Sequence, residues 1–145
     1  MSQFQFVTGI YAPPLPAWEI LLDLERWPEW TSSITRIERL TEGPLAVGSR
    51  VRIEQPKLMP NVWQVTEFEP RTFTFTWVTS RPLIRIAARH QLERTHEGSR
   101  LTLTLTYSGI VGWIMAYQLK DLNWQYLSTE AKGLKLRAET VISGR

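Results

Sequence analysis

Residues 100–113 read RLTLTLTYSGIVGW, and the change of period within them sets the fold. Leu101, Leu103, Leu105 and Tyr107 fall on one side of an extended chain, and Thr102, Thr104 and Thr106 on the other. That is a strand with one buried face. After Gly112 the apolar positions return at helical spacing through about residue 138. A sheet with one apolar face has to cover it, and this last segment is the only one long enough to do so.

Working back toward the N-terminus, the period of two recurs. Strands are expected at 3–8 (QFQFVT), 34–40 (ITRIERL), 49–55 (SRVRIEQ), 61–68 (NVWQVTEF), 72–79 (TFTFTWVT), 83–93 (LIRIAARHQLE) and 100–108. The breaks PKLMP, EPR, SRP and HEGS are short, as hairpins between antiparallel neighbours require. Alternation points Phe73, Phe75 and Trp77 inward, together with Ile84, Ile86, Ala88, His90 and Leu92. Trp63 and Val65, and Val51 and Ile53, are the better inward pairs of their strands, unless a bulge inverts them.

Between the first two strands lies a different chemistry. APPLPA (12–17) suits the first turn of a helix, where proline is tolerated. Leu15, Trp18, Leu21 and Leu22 then form one stripe, ending near Asp23 or Leu24. DLERWPEW (23–30) follows, with Pro28 placed to start a second, very short helix carrying Trp30. The expected fold is therefore α+β: a seven-stranded curved antiparallel sheet wrapped around a long C-terminal helix, with two short helices between strands one and two. All 145 residues form one domain in this reading.

Hairpin connectivity assigns the two ends of the sheet. Loops 41–48, 69–71 and 95–99 share the near end. Loops 56–60, 80–82 and 109–112 share the far end. DLERWPEW arrives at the near end and plugs it, beneath the C-terminal half of the long helix. The far end, with PKLMPN, SRPL and GIVGW, has no plug and is the expected entrance to an interior cavity.

Composition narrows the function. The chain has no cysteine, which excludes disulfides, thiolate nucleophiles and zinc–cysteine sites, and fits a cytoplasmic protein. No apolar run is long enough to span a membrane, and no basic region precedes an apolar block, so no signal peptide is expected. A formal net charge of +3 does not mark a nucleic-acid binder. Arg50, Arg52, Arg85 and Arg89 fall on the outer face, opposite the aromatics that would stack on bases, and read as a solvated surface. Two histidines with no carboxylate at ligand spacing give no metal signal, and no cofactor is expected.

The segment AWEILLDLERWPEWTSSITRIERL (17–40) resembles the N-terminal part of the START-like helix-grip (SRPBCC) superfamily, in particular the polyketide cyclase/dehydrase and lipid-transport family. The shared features are a helix ending in aspartate, then Trp-Pro-x-Trp, then a strand. GPLAVGSRVRIEQP (43–56), WQVTEFEP (63–70), SRLTLTLTYSG (99–109) and EAKGLKLRAE (130–139) are similar to that family too. The resemblance implies an internal pocket, in a superfamily that includes lipid carriers, hormone receptors and aromatic polyketide cyclases. It does not imply a reaction, and no catalytic set transfers residue by residue.

The residues expected to line a ligand are Ile53, Trp63, Val65, Phe75, Trp77, Ile86, His90, Leu103, Leu105, Tyr107, Tyr117 and Trp124. Gln55 and Asn61 flank the mouth. His90, inward on its strand, is a candidate general base, weighed against a core histidine satisfied by a neighbour near the closed end. The Tyr107 hydroxyl can donate to a carbonyl or enolate oxygen. His96 lies in a turn. Asp23 and Glu25 read as capping and loop tethering rather than as an acid–base pair. The leading expectation is a carrier or sensor for a hydrophobic small molecule, aromatic, polyketide-like or isoprenoid-like. The alternatives are a polyketide cyclase or dehydratase, and a protein-interaction adaptor using the apolar rim of PLIRI and GIVGWIMAY.

Overall fold

The computed structural model describes residues 2–143. Seven strands form one antiparallel sheet: β1 (Ser2–Ile10), β2 (Arg36–Arg39), β3 (Arg50–Glu54), β4 (Asn61–Glu69), β5 (Thr74–Arg81), β6 (Ile84–Thr95) and β7 (Gly98–Ser108). Their spatial order is β1-β7-β6-β5-β4-β3-β2. The meander runs in sequence from β2 to β7, and β1 closes on β7 with Phe4 opposite Leu105 and Phe6 opposite Leu103. Helices α1 (Pro14–Leu22), α2 (Ile110–Gln118) and α3 (Lys120–Ser143) complete the fold.

The alternation holds where it was clearest. Leu101, Leu103 and Tyr107 are buried, as are Val51, Ile53, Trp63, Val65, Phe75, Trp77, His90 and Leu92. The register of β4 against β5 shifts between Val65 and Glu67. That irregularity falls after the Trp63–Val65 pair and leaves its inward direction intact. The start of β5 differs from the expectation. Residues 70–72 form a 3-10 turn, and Phe73 caps it in the left-handed conformation at φ 50°, so the strand begins at Thr74.

Three local expectations are corrected. First, the C-terminal segment is two helices, not one. Leu119 departs from helical geometry at φ −103° and ψ 12°, while its N–H still bonds Met115 O at 2.8 Å and its carbonyl accepts Asn123 N–H at 2.8 Å. The helix is interrupted at Leu119, although Leu119 itself keeps both of these backbone hydrogen bonds, and no proline or glycine in the sequence marks the place. Second, Pro28 does not start the short helix. The 3-10 turn spans Leu24–Glu29 with Pro28 inside it, and Trp30 follows as its cap. Pro28 has no N–H to give the Glu25 carbonyl, and the turn closes through the Trp30 N–H on Trp27 O at 3.0 Å. Third, Leu15 is exposed: α1 buries Pro14, Ala17, Trp18 and Leu21 instead.

The 23–30 segment closes the near end, as connectivity required. Trp27 is buried and donates its indole N–H to Leu21 O at 2.9 Å. Arg137 of α3 reaches Glu29 at 2.9 Å, and Gly133 of α3 lies directly against the Trp30 carbonyl. Asp23 ends α1 through its backbone N–H, bonded to Glu19 O and Ile20 O, and its carboxylate pairs with Arg26 at 3.2 Å. Both Asp23 and Glu25 are exposed.

Candidate functional site

The sheet and α3 do not meet completely. Between them lies a cavity of about 90 Å³, bordered by residues of β3 to β7, the near-end plug and α3. Its rings are Trp27, Trp63 and Trp77; its aliphatic walls are Ile34, Ile53, Ile86, Leu103, Leu105 and Leu127. Strand alternation supplies most of these: inward positions of neighbouring strands stack in rows across the sheet, as Ile86 opposite Tyr107 and His90 opposite Leu103 illustrate. Gln55, Leu58, Asn61 and Tyr126 stand toward the far end. There Leu58, Asn61 and Ile86 also border a second hollow of about 330 Å³, which continues past Met59, Arg81, Met115 and Leu119. The two hollows thus share three lining residues, Leu58, Asn61 and Ile86.

Polar groups interrupt the apolar wall at two places. Toward the plug, His90 Nε2 lies 3.3 Å from Glu130 Oε1, with both side chains largely withdrawn from water. The two are within ion-pair reach, and neither Glu130 Oε1 nor His90 Nδ1 has a hydrogen-bond partner. Phe75 stacks on the imidazole at 4.2 Å and 10°. Trp77 meets it edge-on at 5.3 Å, and Trp27 at 5.8 Å. Three aromatic contacts thus fix the ring plane and leave its edge toward Glu130. Toward the mouth, the Tyr107 hydroxyl donates to Asn123 Oδ1 at 3.2 Å. Burial pushes the Tyr107 hydroxyl above its ordinary value, and the hydrogen bond to Asn123 offsets part of that rise. Asn123 Nδ2 is buried without a partner.

Of the residues expected to line a ligand, Ile53, Trp63, Trp77, Ile86, His90, Leu103, Leu105 and Tyr107 border the cavity. Gln55 and Asn61 also line the cavity. Val65 and Phe75 are buried in the layer behind it, and Phe75 acts on it only through His90. Tyr117 and Trp124 do not face the interior. Tyr117 is 74% exposed and Trp124 45%. Trp124 meets Phe4 edge-on at 5.9 Å, and Tyr117 lies in an external groove with Trp113, Ile114 and Lys120. The physical reason is close packing. The helical segment buries Ala116, Leu127, Ala131, Leu134 and Ala138, and such short side chains let it approach its neighbours where indoles would hold it off.

Sequence reasoning missed Glu130, Asn123, Trp27, Tyr126 and Leu127. Trp27 carried a signal, since the segment containing it was assigned to plug this end. Glu130 and Asn123 carried none, because polar residues on an amphipathic helix are ordinarily assigned to its wet face.

The outer surface is laced with charge. Arg36 and Arg52 converge on Glu54, at 3.9 and 3.2 Å, and Arg89 pairs with Glu67 at 3.3 Å. Around the far end, Ile110, Trp113, Leu83 and Met59 are exposed. Among the described residues, no helix is long and apolar enough to cross a membrane, and no group of three or more histidine, aspartate or glutamate side chains is placed to hold a metal ion.

Comparison with known proteins follows the same lines. The family model described as "Polyketide cyclase / dehydrase and lipid transport" matches residues 1–139. No curated protein matches the sequence. Among solved structures, TTHA0849 from Thermus thermophilus is 19% identical, with 97% of this chain and 99% of that one covered at a TM-score of 0.77. The di-domain ARO/CYC BexL from the BE-7585A biosynthetic pathway is 16% identical, with 98% of this chain and 48% of that one covered at 0.74. Major latex-like protein 151 from Panax ginseng is 12% identical, with 94% and 97% covered at 0.72. At these identities the likeness is one of fold.

Proposed function

Since the chain belongs to the polyketide cyclase / dehydrase and lipid transport family, we propose that it binds a hydrophobic small molecule inside the sheet, as a carrier or sensor. One observation carries this reading: an interior cavity walled by Trp27, Trp63 and Trp77 that shares Leu58, Asn61 and Ile86 with a second hollow. An apolar chamber with a few convergent polar groups is the usual form of a small-molecule site. Affinity comes from burial, at about 25 cal/mol per Å² of apolar surface. The chamber's own volume favours a compact ring over an extended isoprenoid chain, with any tail lying toward the mouth.

Native mass spectrometry of protein from its own host tests this. A co-purified molecule is expected in the native protein and absent from Ala88→Trp, which fills the chamber from its β6 wall. Retention of the same molecule by Ala88→Trp would refute the assignment of the site.

The paired His90 and Glu130 favour one second reading, a cyclase or dehydratase. His90 would take a proton from an activated carbon, Glu130 would orient the ring, and the Tyr107 hydroxyl, turning from Asn123, would donate to a more distant oxygen of the same chain. The chamber would hold the chain folded, so proximity supplies much of the rate. His90→Gln and Tyr107→Phe would each abolish turnover of a polyketide-like substrate while leaving a folded domain. Full activity in both would end that mechanism.

A further inference from the structure

The sequence of α2, IVGWIMAYQ, carries no charged residue. One side of the helix is used inside, where Gly112 and Ala116 are buried. The other side is not covered. Ile110, Trp113, Ile114 and Tyr117 recur at i, i+3, i+4 and i+7, and all four are exposed, from 46% at Ile114 to 74% at Tyr117. A helix that is apolar all round is ordinarily covered all round, and this one keeps an apolar stripe in water.

Neighbouring loops extend the stripe into a patch. The N–H groups of Val111 and Gly112 meet Leu83 O at 2.9 and 3.4 Å, which seats the start of α2 on the turn that exposes Leu83. Met59, also exposed, borders one hollow with Met115 of α2. A contiguous apolar patch of this kind marks a surface that something covers.

Charge in the same three segments has a single sign. Residues 55–63, 78–88 and 105–120 contain no aspartate or glutamate, and they contain four cations, Lys57, Arg81, Arg85 and Lys120. These four, all exposed, exceed the formal net charge of the whole chain, +3. Lys120 Nζ lies 5.1 Å from the centre of the Tyr117 ring, and Arg81 reaches Asn61 Oδ1 at 3.0 Å. Of the flanking acids, Glu54 is held by Arg52 at 3.2 Å, and Asp121 follows at the start of α3.

We infer that this end of the molecule docks on an anionic lipid bilayer, with Ile110, Trp113, Ile114 and Tyr117 entering the headgroup layer and the four cations facing lipid phosphates. Tryptophan and tyrosine suit that layer, because each joins an apolar ring to a hydrogen-bonding handle. A second copy of the chain is the poorer occupant, since a two-fold contact through this face would set the cations against themselves. The inference concerns the outer surface and needs no molecule inside the chamber.

Co-sedimentation with vesicles tests it. At ~0.1 M salt the native protein is expected to bind mixed phosphatidylcholine–phosphatidylglycerol vesicles at least about tenfold more tightly than pure phosphatidylcholine, and to lose most of that preference at ~1 M. Trp113→Ala and Tyr117→Ala should each weaken binding severalfold with an unchanged circular dichroism spectrum, since both side chains are exposed. Lys57→Gln and Lys120→Gln should each weaken it about fivefold. Arg94→Gln, nine positions along β6 from Arg85 and so roughly 30 Å away, should change it by less than about twofold. Equal binding to both vesicles, binding to neither, or a loss in Arg94→Gln equal to that in Lys57→Gln would overturn the inference. A native dimer that Trp113→Ala converts to monomer, with no vesicle binding, would also overturn it and make the face a contact between copies. Because the native protein is compared on two lipid surfaces, a variant that fails to fold leaves the test intact.

Discussion

Replacing Gly133 by alanine is expected to destabilise the protein, although helix propensity alone favours the change by about 1 kcal/mol. Gly133 sits in the C-terminal half of α3, where its backbone rests on the near-end plug. A Cβ built there would lie 2.0 Å from the Trp30 carbonyl oxygen, 3.1 Å from its carbonyl carbon and 3.3 Å from Cε3 of the indole. Real Cβ atoms essentially never come closer than 3.0 Å, so helix and plug must separate by 3.0 − 2.0, or 1.0 Å. The obstacle is backbone and cannot rotate away. The plug is also tied down: Trp30 and Thr31 N–H both bond Trp27 O at 3.0 Å, the Trp27 indole bonds Leu21 O, and Glu29 holds Arg137. Overpacking of a rigid contact costs roughly 1–3 kcal/mol, and more where backbone must shift. Set against the propensity gain, a net loss of about 1–2 kcal/mol remains at the upper part of that range. At ~4 °C per kcal/mol for a chain of this size, the melting temperature should fall by about 4–8 °C. Thermal unfolding followed by circular dichroism reads the shift, and urea titration should give a lower midpoint at unchanged slope. A melting temperature equal to or above the parent's would refute the close contact and, with it, the role of residues 23–30 as a plug seated under α3.

Three further outcomes follow from the same contacts. Tyr107→Phe should cost about 1–2 kcal/mol, because Asn123 loses its hydroxyl donor while staying buried; adding Asn123→Leu should recover most of the loss, and strict additivity in the urea double-mutant cycle would disprove the coupling. Burial would raise the Glu139 carboxyl, but the 2.6 Å hydrogen bond from Lys135, the Tyr11 N–H at 2.9 Å and the Lys135 charge outweigh it and hold the group below its ordinary value. Its contribution is therefore present above pH 4.5, its ordinary value, and is lost as pH falls through the lower folded-state value; Glu139→Gln should flatten that part of the acid limb, and an unchanged pH–stability curve would remove the tether. Leu83, exposed at the Pro82–Leu83 turn, has φ 66°, a conformation that costs a side-chain-bearing residue about 1 kcal/mol; Leu83→Gly should raise the urea midpoint, and a lowered midpoint would argue that the turn is unstrained.

Much was fixed by period alone. A strand's side chains alternate with no adjustable angle, so Leu101 to Tyr107, Ile84 to Leu92 and Val51 to Ile53 could be assigned to faces from their neighbours. Hairpin lengths then fixed strand order, and strand order fixed which end DLERWPEW closes. The resemblance carried by Trp-Pro-x-Trp and the flanking strands named the same architecture. Eight lining residues followed directly, because they are strand residues.

A helix offers no comparable rule. Its inward face depends on where it kinks, how it crosses the sheet and how near it comes, and these are set by packing across the whole molecule. Around the break at Leu119 the helical segment leaves Tyr117 and Trp124 exposed, buries Ala116, Asn123, Ala131 and Ala138, and brings Glu130 beside His90. His90 was therefore foreseeable as an inward histidine, but its partner was not: Glu130 meets it only once α3 is laid across the sheet. The sheet and its plugged end were dictated by local alternation and chain length, whereas the chamber's polar lining came from long-range packing, which no local pattern encodes.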